Sequence, residues 1–252
     1  MGRVPYVAVS ALSHPGLLRE RNEDSLVAGP WTLCATVTEN PQTLAFPLGT
    51  PLVVAVADGL GGHPGGEVAS ALVARRIAAI GPALSGEEAV RGALHACNRA
   101  VYDAAGGDEG GELAAMGTTV AGVVVQPENL MVFNVGDSRV YRASPDGLSQ
   151  VSTDDSLPLE PGRRATSVVT QCLGGSPTHR EVRPHVTTES LSSGDRYLIC
   201  TDGLTDPLPT DVLDKVLREH DDGRAAFELW KAAIEAGGPD NITVAVVRVG
   251  RE

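Results

Sequence analysis

Residues 52–63 read Leu-Val-Val-Ala-Val-Ala-Asp-Gly-Leu-Gly-Gly-His, an apolar run that leads straight into Asp58 and a glycine-rich turn. A short run rich in Val is the signature of a buried strand, so Leu52–Ala57 is expected to be a β-strand that ends on a carboxylate. The arrangement recurs. Met131–Val135 leads through Gly136 to Asp137, and Tyr197–Cys200 leads through Thr201 to Asp202, with Asp206 a short turn later. Near the C-terminus the order reverses, with Asp240 preceding the apolar run Ile242–Val249. If that last strand is antiparallel to the others, its start lies beside their ends and the aspartates meet at one edge of the sheets. Asn22-Glu23-Asp24 borders another short strand start, Ser25–Ala28.

Working outward, further strands are expected at Tyr6–Leu12, Thr119–Gln126, Leu130–Val135, Arg139–Arg142, Val168–Cys172 and Arg196–Cys200. Helical spacing of apolar residues appears at 66–80 (Val68, Leu72, Val73, Ile77, Ile80) and 87–105 (Val90, Leu94, Cys97, Val101), then at 211–219 and 224–236. The order is strands, two helices, many strands, two helices and one strand. Strands that return directly onto their neighbours point to an α+β class with antiparallel sheets rather than βαβ winding. Stretches 39–51, 106–112 and 154–166 read as loops, and none is long enough to be a linker. One domain over residues 1–252 is the expectation.

Composition narrows the function. Hydrophobic residues make up 42% of the chain but aromatics only 4%, so the core must rest on Val, Ala, Leu and Ile. A net charge of -12 argues against a nucleic-acid partner, whose phosphates demand clustered Lys and Arg. The four cysteines lie far apart with no CxxC pair, and Cys172 and Cys200 sit in apolar strand-like runs. They are expected to be buried reduced thiols. No run reaches the roughly 20 apolar residues of a membrane span, and the N-terminus lacks a signal peptide's apolar stretch. A soluble protein of the reducing cytoplasm, not engaged with a membrane, is the expectation.

A single Asp-Gly is usually a turn. Several at the ends of apolar strands need a common cause, because packed carboxylates repel one another and call for a cation. Oxygen ligands without Cys or paired His suit Mg²⁺ or Mn²⁺ rather than Zn²⁺. Two such ions can activate a water and clamp an in-line displacement at phosphorus. Arg19, four residues before Glu23, has the planar fork that grips phosphate oxygens. His63, in the glycine-rich turn after Asp58, is placed to donate a proton to a leaving alkoxide.

Seven segments in one order then carry a resemblance. They are Arg19-Glu-Arg-Asn-Glu-Asp24, Ala57-Asp-Gly-Leu-Gly-Gly-His63 with Gly66, Met116-Gly-Thr-Thr119, Asn134-Val-Gly-Asp-Ser-Arg139, Cys172-Leu-Gly-Gly175, Thr201-Asp-Gly-Leu-Thr-Asp206 and Pro239-Asp-Asn-Ile-Thr243. The chain resembles the PPM-type, metal-dependent Ser/Thr protein phosphatases, the protein phosphatase 2C family, in their bacterial form. The resemblance implies a four-layer αββα sandwich of two antiparallel sheets flanked by helix pairs. It implies two Mn²⁺ or Mg²⁺ per chain and a third, weaker one. Asp58 would bridge two ions, and the Gly59 carbonyl would bind one of them. Asp202 and Asp240 would complete the second ion's ligands, with Glu23 and Asp24 acting on it and its waters. Asp137 and Asp206 would hold the third. Arg19 would bind the substrate phosphate, and His63 is similar to the family's general acid. The implied substrates are phosphoserine and phosphothreonine proteins made by an opposing Ser/Thr kinase, and a monomer is the default state.

The chain departs from the family at Thr153-Asp-Asp155-Ser156, where Asp replaces an expected His. The usual flap is also cut to a loop at about 154–166, in which Arg163 and Arg164 could steer phosphopeptides. Segment 31–50 reads as a surface loop or lid. Two competing readings are a phosphatase of small phosphoesters and a catalytically inert binding or sensor module on the same fold.

Overall fold

The computed structural model describes residues 5–60, 65–106, 113, 115–157 and 168–251. His63, Arg163 and Arg164, and most of the expected 106–112 and 154–166 loops, lie outside them.

The described strands are β1 (Pro5–His14), β2 (Ser25–Ala28), β3 (Trp31–Cys34), β4 (Gln42–Pro47), β5 (Leu52–Ala57), β6 (Gly59–Leu60), β7 (Gly117–Thr118), β8 (Val120–Val125), β9 (Asn129–Val135), β10 (Arg139–Ser144), β11 (Gly147–Gln150), β12 (Leu173–Gly174), β13 (His185–Ser190), β14 (Arg196–Cys200) and β15 (Ile242–Arg251). The helices are α1 (Gly65–Ile80), α2 (Glu87–Ala105), α3 (Asp202–Thr205), α4 (Thr210–Glu219) and α5 (Asp222–Glu235). One sheet runs β11-β10-β14-β15-β1-β4 and the other β13-β9-β8-β5-β2-β3, with every neighbouring pair antiparallel. A small third sheet, β12-β7-β6, lies beside them.

The period-two alternation of each inner strand divides its side chains between two cores. From β5, Val53 and Ala55 pack with Val73, Ile77, Leu94 and Val101 of α1 and α2. Val54 and Val56 face the other way, into a core shared with Val7, Val9, Val140, Tyr197 and Val247 of the second sheet. On that sheet's far side, Leu198, Val244 and Val246 meet Leu213, Leu217, Leu229 and Ala233 of α4 and α5. The layers are therefore helices, sheet, sheet, helices, as expected. Both faces of the inner strands are covered, which is why they read as unbroken apolar runs instead of alternating with polar residues.

Three expectations need correction. Val168–Cys172 forms no strand; only an isolated bridge, Ser156 to Val169, and the two-residue β12 appear there. Segment 31–50 is not one loop, because it holds β3 and the edge strand β4, which pairs with β1. Of the four free cysteines, Cys97 and Cys200 are buried, whereas Cys34 and Cys172 are only half-buried. Cys172 lost its expected burial together with its strand.

Candidate active site

Strand register brings the acidic residues together. Ser25 pairs with Ala57, which sets Asp24 beside Asp58. Cys200 pairs with both Arg139 and Val244, which places Asp202 between the turn bearing Asp137 and the segment bearing Asp240. His14 pairs with Ile242, so the chain leaving β1 passes Asp240 on its way to Arg19 and Glu23. The antiparallel direction of β15 is what lets an aspartate before a strand meet aspartates after strands.

Close backbone packing fixes these segments to one another. Gly203 touches the Asp240–Asn241 backbone; a Cβ there would sit 2.0 Å from the Asn241 carbonyl oxygen, so only glycine lets the Asp202 turn approach. Asn241 stitches the other side: its Oδ1 accepts from Glu23 N–H at 2.8 Å, and its Nδ2 donates to the carbonyls of Arg21 (2.8 Å) and Pro15 (3.1 Å). Beneath Asp58, Thr118 Oγ1 donates to the Asp58 carbonyl at 2.8 Å. The Asp58 N–H reaches Thr119 Oγ1 at 3.2 Å, and that hydroxyl lies 2.7 Å from Ser138 Oγ.

Asp24 is fully buried, and its Oδ2 accepts from Thr243 (2.6 Å) and Thr201 (2.9 Å). Its other oxygen, Oδ1, is buried with no hydrogen-bond partner, as is Oδ1 of Asp202. Arg19 donates from Nη2 to Asp240 Oδ2 at 2.7 Å, yet its side chain stays 48% exposed, leaving donors free to meet a ligand. On the flank, Arg139 grips Asp154 through two hydrogen bonds, 2.7 and 2.9 Å. Asp155, the residue that departs from the family pattern, accepts from the Gly136 N–H (2.9 Å) and from Gln171 (2.8 Å), and sits 2.9 Å from His185 Nε2.

The crowding shows in the acidities. Burial pushes the Asp58 carboxyl well above its ordinary value, and the neighbouring Asp202 and Asp24 charges push it further. Burial raises Asp24 to about 7 despite the two threonine hydroxyls, which hold it down. Asp137 and Asp206 are each pushed up to about 7, first by burial and then by Asp202. Asp202 is raised by burial and by Asp240, and Glu23 by burial against the opposing pull of Arg19. Asp58 and Asp202 stand within hydrogen-bonding reach of each other, an arrangement that repels unless a proton or a cation lies between them.

Among the described residues, no group of three or more acidic, His or Cys side chains stands at cation-ligating spacing. The carboxylates are partly paired off instead: Asp58 with Asp202, Asp240 with Arg19, and Asp24 with its threonines. The orphaned oxygens of Asp24 and Asp202, the raised acidities and the all-oxygen donor set fit a divalent cation.

The structure thus gathers Arg19, Glu23, Asp24, Asp58, Asp137, Asp202, Asp206 and Asp240 at one edge. Gly59 follows Asp58 directly at the start of β6, and His63 lies outside the described residues. Asn241, Thr201, Thr243 and Ser13 were given no role from the sequence, and Asn22 was named only as the first residue of the Asn22-Glu23-Asp24 cluster. Their only signal was position, since Asn241 and Thr243 fall inside the Pro239–Thr243 segment and Thr201 precedes Asp202.

A family pattern described as protein phosphatase 2C matches residues 46–233. The Ser/Thr protein phosphatase PstP of Mycobacterium tuberculosis is 32% identical over 99% of this chain and 46% of that protein. This chain therefore spans about half the length of that curated relative. The Ser/Thr phosphatase Stp of Listeria monocytogenes is 27% identical, covering 92% of each chain. Among solved structures, the catalytic domain of PstP in complex with two manganese ions is similar at a TM-score of 0.80 and 30% identity, covering 98% of this chain and 99% of that one. A second crystal structure of the same phosphatase gives a TM-score of 0.81 over 97% of this chain and 99% of that one.

Proposed function

The chain belongs to the protein phosphatase 2C family, and from that premise we propose that it hydrolyses phosphoserine and phosphothreonine in proteins at a binuclear Mn²⁺ or Mg²⁺ centre. The observation that carries the reading is a set of buried, mutually repelling carboxylates with orphaned oxygens, set beside one exposed arginine. The manganese-bound structure of the mycobacterial relative supports Mn²⁺ as the ion.

In this reading Asp58, the Gly59 carbonyl, Asp202 and Asp240 would hold the two ions, and Glu23 and Asp24 would act beside the second. Asp137 and Asp206 offer a third, weaker position. When bound, the ions supply charge neutralisation and Lewis-acid activation of the attacking water. The chain's own groups do the rest. Arg19 turns its free N–H groups to the phosphate's non-bridging oxygens and orients phosphorus for in-line attack. His63 is the proton donor to the departing serine or threonine oxygen. Residues 1–252 act as one catalytic domain with a short flap. The protein works as a monomer, and its free thiols suit a reducing cytoplasm. Among the described residues no helix is long and apolar enough to cross a membrane.

The test is steady-state hydrolysis of a phosphothreonine peptide, with Mn²⁺ titrated, by wild type and Arg19→Ala. Removing a charge-assisted grip on phosphate should raise KM about tenfold or more, roughly the 1.5–3 kcal/mol of a hydrogen bond to a charged group. Turnover of p-nitrophenyl phosphate with none of the peptide would favour small phosphoesters, and no turnover of either would favour an inert binding module.

A further inference from the structure

The turn that delivers Arg19 to the site also presents two leucines to solvent. Leu17 is 60% and Leu18 73% exposed, the two highest values among the exposed large apolar side chains of the described residues. A pair of consecutive leucines facing water on a mobile loop would need no explanation. This turn, however, is fixed. Gly16 adopts φ +78°, and a Cβ there would lie 2.2 Å from the Asp240 carbonyl oxygen, so the backbone is pressed against the segment that carries Asp240. The Leu17 N–H donates to the Gly238 carbonyl at 2.8 Å, the Gly16 N–H donates to His14 Nδ1 at 3.0 Å, and Asn241 Nδ2 donates to the Pro15 carbonyl at 3.1 Å. Four contacts therefore hold the leucines in place immediately before a guanidinium that itself bonds Asp240.

We propose that Leu17 and Leu18 form an apolar shelf that binds an aliphatic side chain flanking the phosphorylated serine or threonine, and so set the enzyme's sequence preference. The inference rests on the phosphatase reading and on Arg19 as the phosphate anchor. A phosphate held by Arg19 brings the residues flanking the phosphoresidue to the turn that carries Leu17 and Leu18, because Arg19 follows Leu18 directly in the chain. The shelf is the apolar part of a rim that continues into the charged residues Arg19, Glu20 and Arg21, all exposed. Small polar flanks gain nothing from an apolar surface. An aliphatic flank removes apolar surface from water on both sides of the contact. Because the turn is already ordered, little conformational entropy is lost when the contact forms.

The test uses metal-loaded wild type and the double variant Leu17→Ser/Leu18→Ser, both checked for cooperative unfolding. The substrates are phosphothreonine peptides that differ only in carrying Leu or Ser at the two positions on either side of the phosphoresidue. Wild type should prefer the Leu peptides about tenfold in kcat/KM, about 1.4 kcal/mol, with most of the difference in KM. In the variant the Leu-to-Ser ratio should fall to about one. A wild type indifferent to the flanks, or a variant that keeps the preference, overturns the shelf while leaving the phosphatase reading intact. A wild type that hydrolyses neither the peptides nor p-nitrophenyl phosphate overturns both together.

Discussion

Replacing Thr243 by valine removes one hydroxyl from the most enclosed part of the site and keeps the side chain's shape. Asn22 Nδ2 donates to Ser13 Oγ at 2.8 Å, Ser13 Oγ lies 2.7 Å from Thr243 Oγ1, and Thr243 donates to Asp24 Oδ2 at 2.6 Å. Each hydroxyl has one proton, so the direction of the chain is set: Asn22 to Ser13 to Thr243 to Asp24. The valine deletes the last donor and strands the Ser13 proton. A hydrogen bond to a charged group is worth about 1.5–3 kcal/mol and one to a neutral group about 0.5–1.5 kcal/mol. Asp24 is pushed up to about 7, so it is ionised at pH 8 and protonated at pH 5. Its burial cost is absent below the ordinary carboxylate range and grows as pH rises towards 7, and Thr243 offsets part of it only where the charge is present. The variant should therefore lose about 2–3 kcal/mol at pH 8 and about 1 kcal/mol at pH 5, in urea unfolding with chelator present. Thr243→Ser should restore most of the loss. Equal losses at both pH values, or a loss under about 0.5 kcal/mol at pH 8, would refute the assignment of this network to the charged form of Asp24.

Two further outcomes follow from charges elsewhere in the molecule. Asp222 receives both the buried Arg196 (2.8 Å) and Arg248 (2.6 Å), so Asp222→Asn leaves two guanidiniums facing each other; it should cost about 3–5 kcal/mol in unfolding, and a loss under 1 kcal/mol would contradict that geometry. In wild type stripped of metal, the carboxyls of Asp137 and Asp206, each raised to about 7, favour the folded state below the ordinary carboxylate range and lose that contribution as pH climbs to about 7. The melting temperature with chelator should fall between pH 4.5 and 8, and saturating Mn²⁺ should flatten the slope; a chelated protein whose stability rises over that window would contradict the acidic crowding.

The inner strands were legible because burial on both faces forces them to be apolar. β5 runs over Leu52–Ala57 as its composition required, and the stripe Val90, Leu94, Cys97 and Val101 lies on the buried face of α2. β4 was illegible for the opposite reason. Gln42–Pro47 is an edge strand whose residues are largely exposed, so its sequence carries the polar and proline content of a loop, and only its pairing with β1 makes it a strand. Val168–Cys172 misled in the other direction, since its Val and Cys content imitates a strand but its pairing with the 155–157 segment amounts to one isolated bridge, Ser156 to Val169. For the site, aspartates at strand ends were readable because a charge at the end of an apolar run has few structural explanations. Thr201, Thr243 and Asn241 were not, because hydroxyls and amides are common everywhere, and their role appears only when register sets them against Asp24 and Glu23.

The most direct test of the central claim is Mn²⁺ binding and p-nitrophenyl phosphate turnover measured together on wild type and Asp58→Asn. The substitution keeps the shape and hydrogen-bonding capacity of a buried side chain but removes the charge at the centre of the cluster. It should also relieve repulsion, so the variant should be at least as stable as wild type in chelator. Wild type should bind two Mn²⁺ and turn over in proportion to their occupancy, whereas the folded variant should lose at least one ion and about a thousandfold or more in kcat, of the order that one electrostatic contribution supplies. Metal-independent turnover in wild type, or unchanged binding and rate in Asp58→Asn, would contradict the account.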